Sequence, residues 1–253
     1  MNERTMSILE HLDEIKRRLL RVAILFTVAL AVIIVLEYQY HYITNTLTSP
    51  AKELLTGQNG DIVFLKVTEP WAVAAKVSFL AACIVALPYF LIEVTLFLRP
   101  GLKSNERKYI YFLAPGTMLA FAAGSLFGYF VLIPFFLKFL LGLGSEVAKA
   151  EISISLLIGQ ILAFVFWMGV IFQLPIVMFL LAKIGLISSQ MLSKKRRWVI
   201  LAAFVLGAAI TPTVDPITQL LVAGPILLLF ETGLILVKVA ERGREPVVTA
   251  SPS

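Results

Sequence analysis

The chain has 253 residues, 59% of them hydrophobic, and a net charge of +6, with a mean hydropathy of +0.90. This composition leaves no room for a separate soluble domain, and it predicts one transmembrane domain over residues 1–240 followed by a short tail, 241–253. The basic excess is not a nucleic-acid footprint: 17 of the 22 Lys and Arg fall in polar segments on one side of the apolar runs, so the charge sets membrane topology instead.

In chain order, residues 1–18 predict an amphipathic helix lying in the headgroup plane. Ser7 and Glu10 fit a capping box, and Ile8, Leu12, Ile15 and Leu19 recur at helical spacing. Six apolar runs follow, at 19–36, 71–91, 109–133, 156–182, 198–210 and 217–237. Most reach the roughly 18–20 residues that cross about 30 Å of hydrocarbon as helix. The first break, 37–70, contains Pro50 and reads as an external cap loop, because Ile62, Val63, Phe64, Leu65 and Val67 make it too apolar for a linker. The break at 138–155 is a shorter version of it. The breaks at 99–108 and 183–197 are strongly basic and therefore cytoplasmic, as are both termini.

The expected fold is an all-α, polytopic membrane protein of six transmembrane helices. Pro88, Pro115, Pro134, Pro175, Pro212, Pro216 and Pro225 lie in or beside the spans. Proline is common in membrane helices and needs no further reason, but together these residues would kink the helices into a concave bundle. The last two spans are expected to be short. The fifth offers about 13 residues, or roughly 20 Å of helix, so the turn at 211–216 must form within membrane depth. Gly124 and Gly128 form a small-xxx-small packing face.

The search for chemistry is mostly exclusionary. The single cysteine, Cys83, rules out a disulfide within the chain, and His11 and His41 flank the first span on opposite sides, so a shared metal site is not expected. No phosphate loop or nucleophile elbow is present, no cofactor is implied, and the chain does not read as an enzyme. Three polar features remain. Glu14 and Glu106 sit on successive cytoplasmic segments, where carboxylates could grip a guanidinium fork, or could simply pair with Arg18 at i,i+4 and Lys103 at i,i−3. Gln173 is a lone amide within the fourth run, expected to face a lipid-accessible or partner-lined concavity, the alternative being a helix–helix contact. Glu93 and Glu231 lie near span ends, interfacial or buried.

Three stretches in register with this topology resemble one family: His11 to Leu19 (HLDEIKRRL), Phe97 to Leu102 (FLRPGL) with Glu106-Arg107, and Lys194 to Arg197 (KKRR) leading to Thr211-Pro212, Asp215-Pro216 and Gln219. The chain resembles the TatC family of the twin-arginine protein translocase from about His11 to Val237. The resemblance implies export of folded proteins driven by the proton-motive force, with TatA and TatB (or a bifunctional TatA) and other TatC copies as partners in a lipid bilayer. It implies binding of paired-arginine signal peptides at Glu14, Arg17, Phe97, Pro100, Leu102 and Glu106. It also implies intramembrane polar or partner contacts at Gln173, Thr211, Asp215 and Gln219, and places the family's external-loop proline at Pro50. Gln173 departs from the family's frequent Glu. Without an evident transit peptide, a prokaryotic cytoplasmic membrane is favoured. The competing reading is a small-solute secondary transporter, which should show charged midplane sites in matching halves; none is evident.

Overall fold

The computed structural model describes residues 8–56, 60–97, 108–144, 151–211 and 215–242. The described residues form helices α1 (Ile8–Tyr40), α2 (Tyr42–Thr56), α3 (Glu69–Phe97), α4 (Lys108–Phe127), α5 (Ile133–Gly144), α6 (Ile154–Ile171), α7 (Leu174–Lys183), α8 (Ser189–Lys194), α9 (Arg196–Ile210) and α10 (Pro216–Arg242), with short strands β1 (Asp61–Val63) and β2 (Glu151–Ser153). The fold is a polytopic helical bundle, as the apolar runs require. Among the described residues, five segments are long and apolar enough to cross a membrane: Asp13–Tyr40, Glu69–Phe97, Leu113–Gly142, Ile154–Lys183 and Pro216–Arg242.

Contacts between helices fix their directions. Arg18 meets Glu93, Phe26 stacks edge-on against Phe79, and Tyr38 lies against Trp71, so α1 and α3 are antiparallel. A Cβ on Gly128 would come within 2.7 Å of the Phe164 carbonyl oxygen, and one on Gly124 within 2.8 Å of the Phe172 ring. The small-residue face therefore packs α4 antiparallel on α6, as its spacing predicts. Gly233 faces Met178 and Pro175 while Lys183 donates to the Ala240 carbonyl at 3.2 Å, which makes α7 and α10 parallel. Arg196 pairs with Glu231 and Gly207 backs onto Gln219, so α9 runs against α10. In chain order α1, α3, α4–α5, α6–α7, α9 and α10 thus alternate in direction.

Three expectations need correction. The first helix does not lie flat and then turn inward. α1 is continuous for 33 residues, because nothing between Ile15 and Leu20 breaks a helix and the polar face grades into the apolar one. The 37–70 break is not mainly loop, since α1 extends to Tyr40 and α2 fills most of the remainder. The last span is not short: α10 has 27 residues, because Lys238, Glu241 and Arg242 continue the helix instead of beginning a tail. Only α9, at 15 residues, is short. Its last carbonyl, on Ile210, accepts from Gln160 Nε2 at 3.1 Å. Gln160 lies six residues into α6, about 9 Å of helix from its start, so α9 stops well short of the level where α6 begins.

The end of the molecule where α1 runs into α2 is held by hydrogen bonds from neutral donors. Glu37, buried at the end of α1, accepts from the amides of Ile43 (3.0 Å) and Thr44 (3.2 Å) and so caps α2. His41 makes the turn between them at φ 48°. β1 and β2 pair in parallel, Ile62 opposite Ile152, and join the segment after α2 to the segment before α6. Within α2, Pro50 has no N–H to offer the Thr46 carbonyl; the Tyr129 hydroxyl donates to that oxygen instead, at 2.5 Å. Tyr129 lies on a π-helical turn, Gly128–Leu132, closed by the Ile133 amide on the Gly128 carbonyl. Pro134 follows at once and cannot donate back one turn, which accounts for the widened ladder. The core centres on α6, whose Ile158, Ile161, Leu162, Phe164 and Met168 are almost wholly buried. α1, by contrast, leaves Leu20, Ile24, Val28, Val32 and Val35 exposed, as a lipid-facing helix should.

Candidate functional site

The densest cluster of charge among the described residues lies where α1 meets the end of α3. Arg18 sits between two carboxylates. Its Nε and Nη2 donate to Glu14 Oε1 at 3.0 and 2.5 Å, and its Nη1 donates to Glu93 Oε2 at 2.6 Å. Glu93 Oε1 also takes Arg21 Nη1 at 3.0 Å and the Tyr89 hydroxyl at 2.8 Å. Glu93 is 3% exposed, so its charge is tolerable only because two guanidiniums and a phenol satisfy it. Glu14 Oε2 is buried, with no hydrogen-bond partner among the described residues.

Beside the cluster a cavity of about 180 Å³ opens between the two helices, lined by Ile15, Leu19, Val22, Phe90, Val94 and Phe97 with Arg18 and Glu93 at its edge. A shallower apolar hollow continues along the same helix pair from Leu19 to Phe26 and from Phe90 back to Cys83, closed by Phe166 of α6. The arrangement can hold a cationic group on carboxylate oxygen while an apolar chain lies next to it.

The structure brings Glu14 and Phe97 together at this place. Glu14 does pair with Arg18 at i,i+4, as its spacing allows, but with one oxygen only. Arg17 is exposed, one position further round α1, outside the network. Pro100, Leu102 and Glu106 lie outside the described residues. Sequence reasoning left Glu93 unassigned; the available signal was a lone carboxylate ending an apolar run, which must find a partner if buried.

Gln173 differs from its expectation. It occupies the break between α6 and α7 and is 4% exposed. Its Nε2 donates to the Thr117 carbonyl at 3.0 Å, and its Oε1 has no partner among the described residues. It lines a cavity of about 80 Å³ with Leu91, Val94, Thr95, Thr117 and Val177. This is a packed seam between α3, α4 and α7, not a lipid-accessible concavity, because the α6–α7 break turns the amide toward α4.

Thr211 donates to the Gly207 carbonyl at 2.9 Å and is buried. Asp215 caps α10 by accepting from the Thr218 amide at 2.7 Å and from its hydroxyl. Both are thus used by their own backbone, while Gln219 is half-buried with its backbone against Gly207. Pro50 stands within α2, not in a loop.

The family model for the Sec-independent protein translocase protein TatC matches residues 10–225. The chain belongs to the TatC family. It is 35% identical over 247 residues to the TatC of Aquifex aeolicus, covering 97% of this chain and 100% of that one. It is 34% identical over 239 residues to the TatC of Carboxydothermus hydrogenoformans, covering 94% and 95%. A crystal structure described as the twin arginine translocase receptor TatC superposes with a TM-score of 0.81 at 34% identity, covering 92% of this chain and 100% of that chain. Membership of the TatC family makes the protein a multi-pass component of a protein translocase of the prokaryotic inner membrane, in a transport family that is not enzymatic.

Proposed function

We propose that the chain is the receptor component of a twin-arginine translocase. It binds the paired arginines of a signal peptide at its cytoplasmic face, and assembles with TatA- and TatB-type subunits and further copies of itself for export driven by the proton-motive force. The observation that carries this reading is Glu14: a half-buried carboxylate with one oxygen held by Arg18 and the other, itself buried, lacking a partner among the described residues, beside an apolar cleft edged by Phe97. A guanidinium is a planar fork that suits carboxylate oxygen, and an ammonium is not. The apolar stretch of a signal peptide would follow the hollow along α1 and α3. Glu106 is proposed as the second carboxylate of the clamp, and Pro100 and Leu102 as members of the same site. In this reading α9 is a sixth, short crossing that thins the bilayer locally, and both termini are cytoplasmic.

The test is binding of a labelled twin-arginine peptide, and of its twin-lysine counterpart, to the full chain in detergent. The arginine peptide should bind better, and Glu14→Gln and Glu106→Gln should each weaken it by roughly thirtyfold or more, the scale of losing one partner of a desolvated charge pair. Equal binding of the two peptides would reject the reading.

A further inference from the structure

Neither the family resemblance nor the proposed clamp employs Glu93, a buried carboxylate beside Glu14. It nevertheless accepts three side-chain donors, from Arg18, Arg21 and Tyr89, on two different helices. What this does to Glu14 follows from guanidinium geometry. A fork free to choose would lay two N–H groups on the two oxygens of one carboxylate. Arg18 does not. Both Nε and Nη2 fall on Glu14 Oε1, and Nη1 is drawn across to Glu93 Oε2 at 2.6 Å, with the Glu93 carbonyl also within 3.5 Å. The second oxygen of Glu14 is left without a partner among the described residues.

Charge balance gives the same result. The two guanidiniums of Arg18 and Arg21 are matched by the two carboxylates of Glu14 and Glu93. Without the charge of Glu93, the two cations would have Glu14 alone among the carboxylates of this cluster, and a further guanidinium arriving there would meet net positive charge.

We infer that Glu93 is a positioning residue of the peptide site: it holds Arg18 and Arg21 away from full engagement of Glu14, and so keeps one oxygen of Glu14 and the charge balance of the site open to an arginine of the incoming peptide. The chain's own Arg18 is, on this account, an internal competitor that Glu93 restrains. The inference rests on the receptor reading given above, and the following experiment separates the two.

Binding of twin-arginine and twin-lysine peptides is measured on the full chain in detergent, with thermal melting of each variant recorded alongside. Glu93→Gln, which keeps shape and removes charge, should weaken the arginine peptide by about tenfold, equivalent to about 1.4 kcal/mol, and should narrow its advantage over the lysine peptide. Adding Arg18→Gln to Glu93→Gln should recover most of that loss, because the competitor is gone; a residue needed only for packing α1 on α3 would not be rescued this way. If Glu93→Gln does not melt as a folded protein, Glu93→Asp takes its place. Its shorter stem should loosen the grip on Arg18 and give a smaller loss, again relieved by Arg18→Gln. Parent-like binding by folded Glu93→Gln, or a loss that Arg18→Gln leaves untouched, overturns the inference. If Glu14→Gln binds normally, the receptor site itself is wrong; if Glu14→Gln loses binding while Glu93→Gln does not, only the role of Glu93 is wrong.

Discussion

α3 carries a buried carboxylate at each end, and the two are satisfied in opposite ways. At its start Glu69 accepts from the Leu65 amide at 2.7 Å and the Ser153 hydroxyl at 2.9 Å, both neutral donors fixed in backbone or short side chain. At the other end Glu93 accepts from two arginines on α1, long side chains whose charges other anions could equally take. A carboxylate held by neutral dipoles ties segments together and has nothing to exchange. One held by cations belongs to a network that an arriving cation can reorganise. Near Glu69, Glu37 caps α2 and Tyr129 closes the gap left by Pro50, while the ion pairs among the described residues gather at the opposite end, beside Glu241, which takes neutral donors from Ser189.

The sharpest way to break this comparison is Glu69→Ala. It leaves the Leu65 amide and the Ser153 hydroxyl without their acceptor and unties the strand pair from α3. Hydrogen bonds to a charged group contribute roughly 1.5–3 kcal/mol each, so a loss of about 3 kcal/mol or more is expected in denaturant unfolding of the detergent-solubilised protein. A melting transition equal to the parent's would remove the distinction between the two ends.

A smaller loss is expected in the body on which that end rests. Gly128→Ala drives a Cβ to within 2.7 Å of the Phe164 carbonyl oxygen, which is backbone and cannot move aside. Overpacking of this kind costs about 1–3 kcal/mol. Gly159→Ala, on the same packed pair of helices, has nothing within 4 Å of its new atom and should melt like the parent. Equal stability of the two variants would show that the α4–α6 seam is looser than its geometry.

Tyr129→Phe sharpens the account of the neutral end. The Thr46 carbonyl would lose its donor, and about 1 kcal/mol of stability with it. Pro50→Ala restores an amide that can reach the same carbonyl, so it should recover part of that loss in the Tyr129→Phe background. If the double variant is instead the less stable, Tyr129 and Pro50 act separately.

The smallest effect is expected from Arg196→Gln. Its pair with Glu231 is short, at 2.7 Å, but both side chains are about half exposed. Exposed pairs contribute about 0–1 kcal/mol and weaken in salt. A larger change in melting would mean that the α9–α10 contact depends on charge and not on the backbone approach at Gly207.

Much of this was legible in the sequence because membrane helices are specified locally. Length and apolarity mark the runs, basic residues order their ends, and Gly124 with Gly128 marks a close seam four residues apart. The short helix of the fifth run, α9, follows from counting residues. The i,i+4 pair of Glu14 and Arg18 follows from helix geometry alone. Gln173 was misplaced for a reason that is equally physical: the sequence shows a polar amide in an apolar run but not which way a break at Phe172 turns it, and the Thr117 carbonyl that receives it is 56 positions away.

The sequence by itself determined that this chain is a bundle of membrane helices with its basic segments on one side, because hydrocarbon leaves the backbone no other partner than itself and because that requirement is met within each segment. Tertiary structure alone decided which charges meet. Glu93 lies 75 positions from Arg18, and no periodicity links them; only the antiparallel packing of α1 on α3 brings the carboxylate under the guanidinium and leaves one oxygen of Glu14 open. Burial then gives that arrangement its strength, since a charge removed from water must be answered by whichever side chain the fold has placed within about 3 Å.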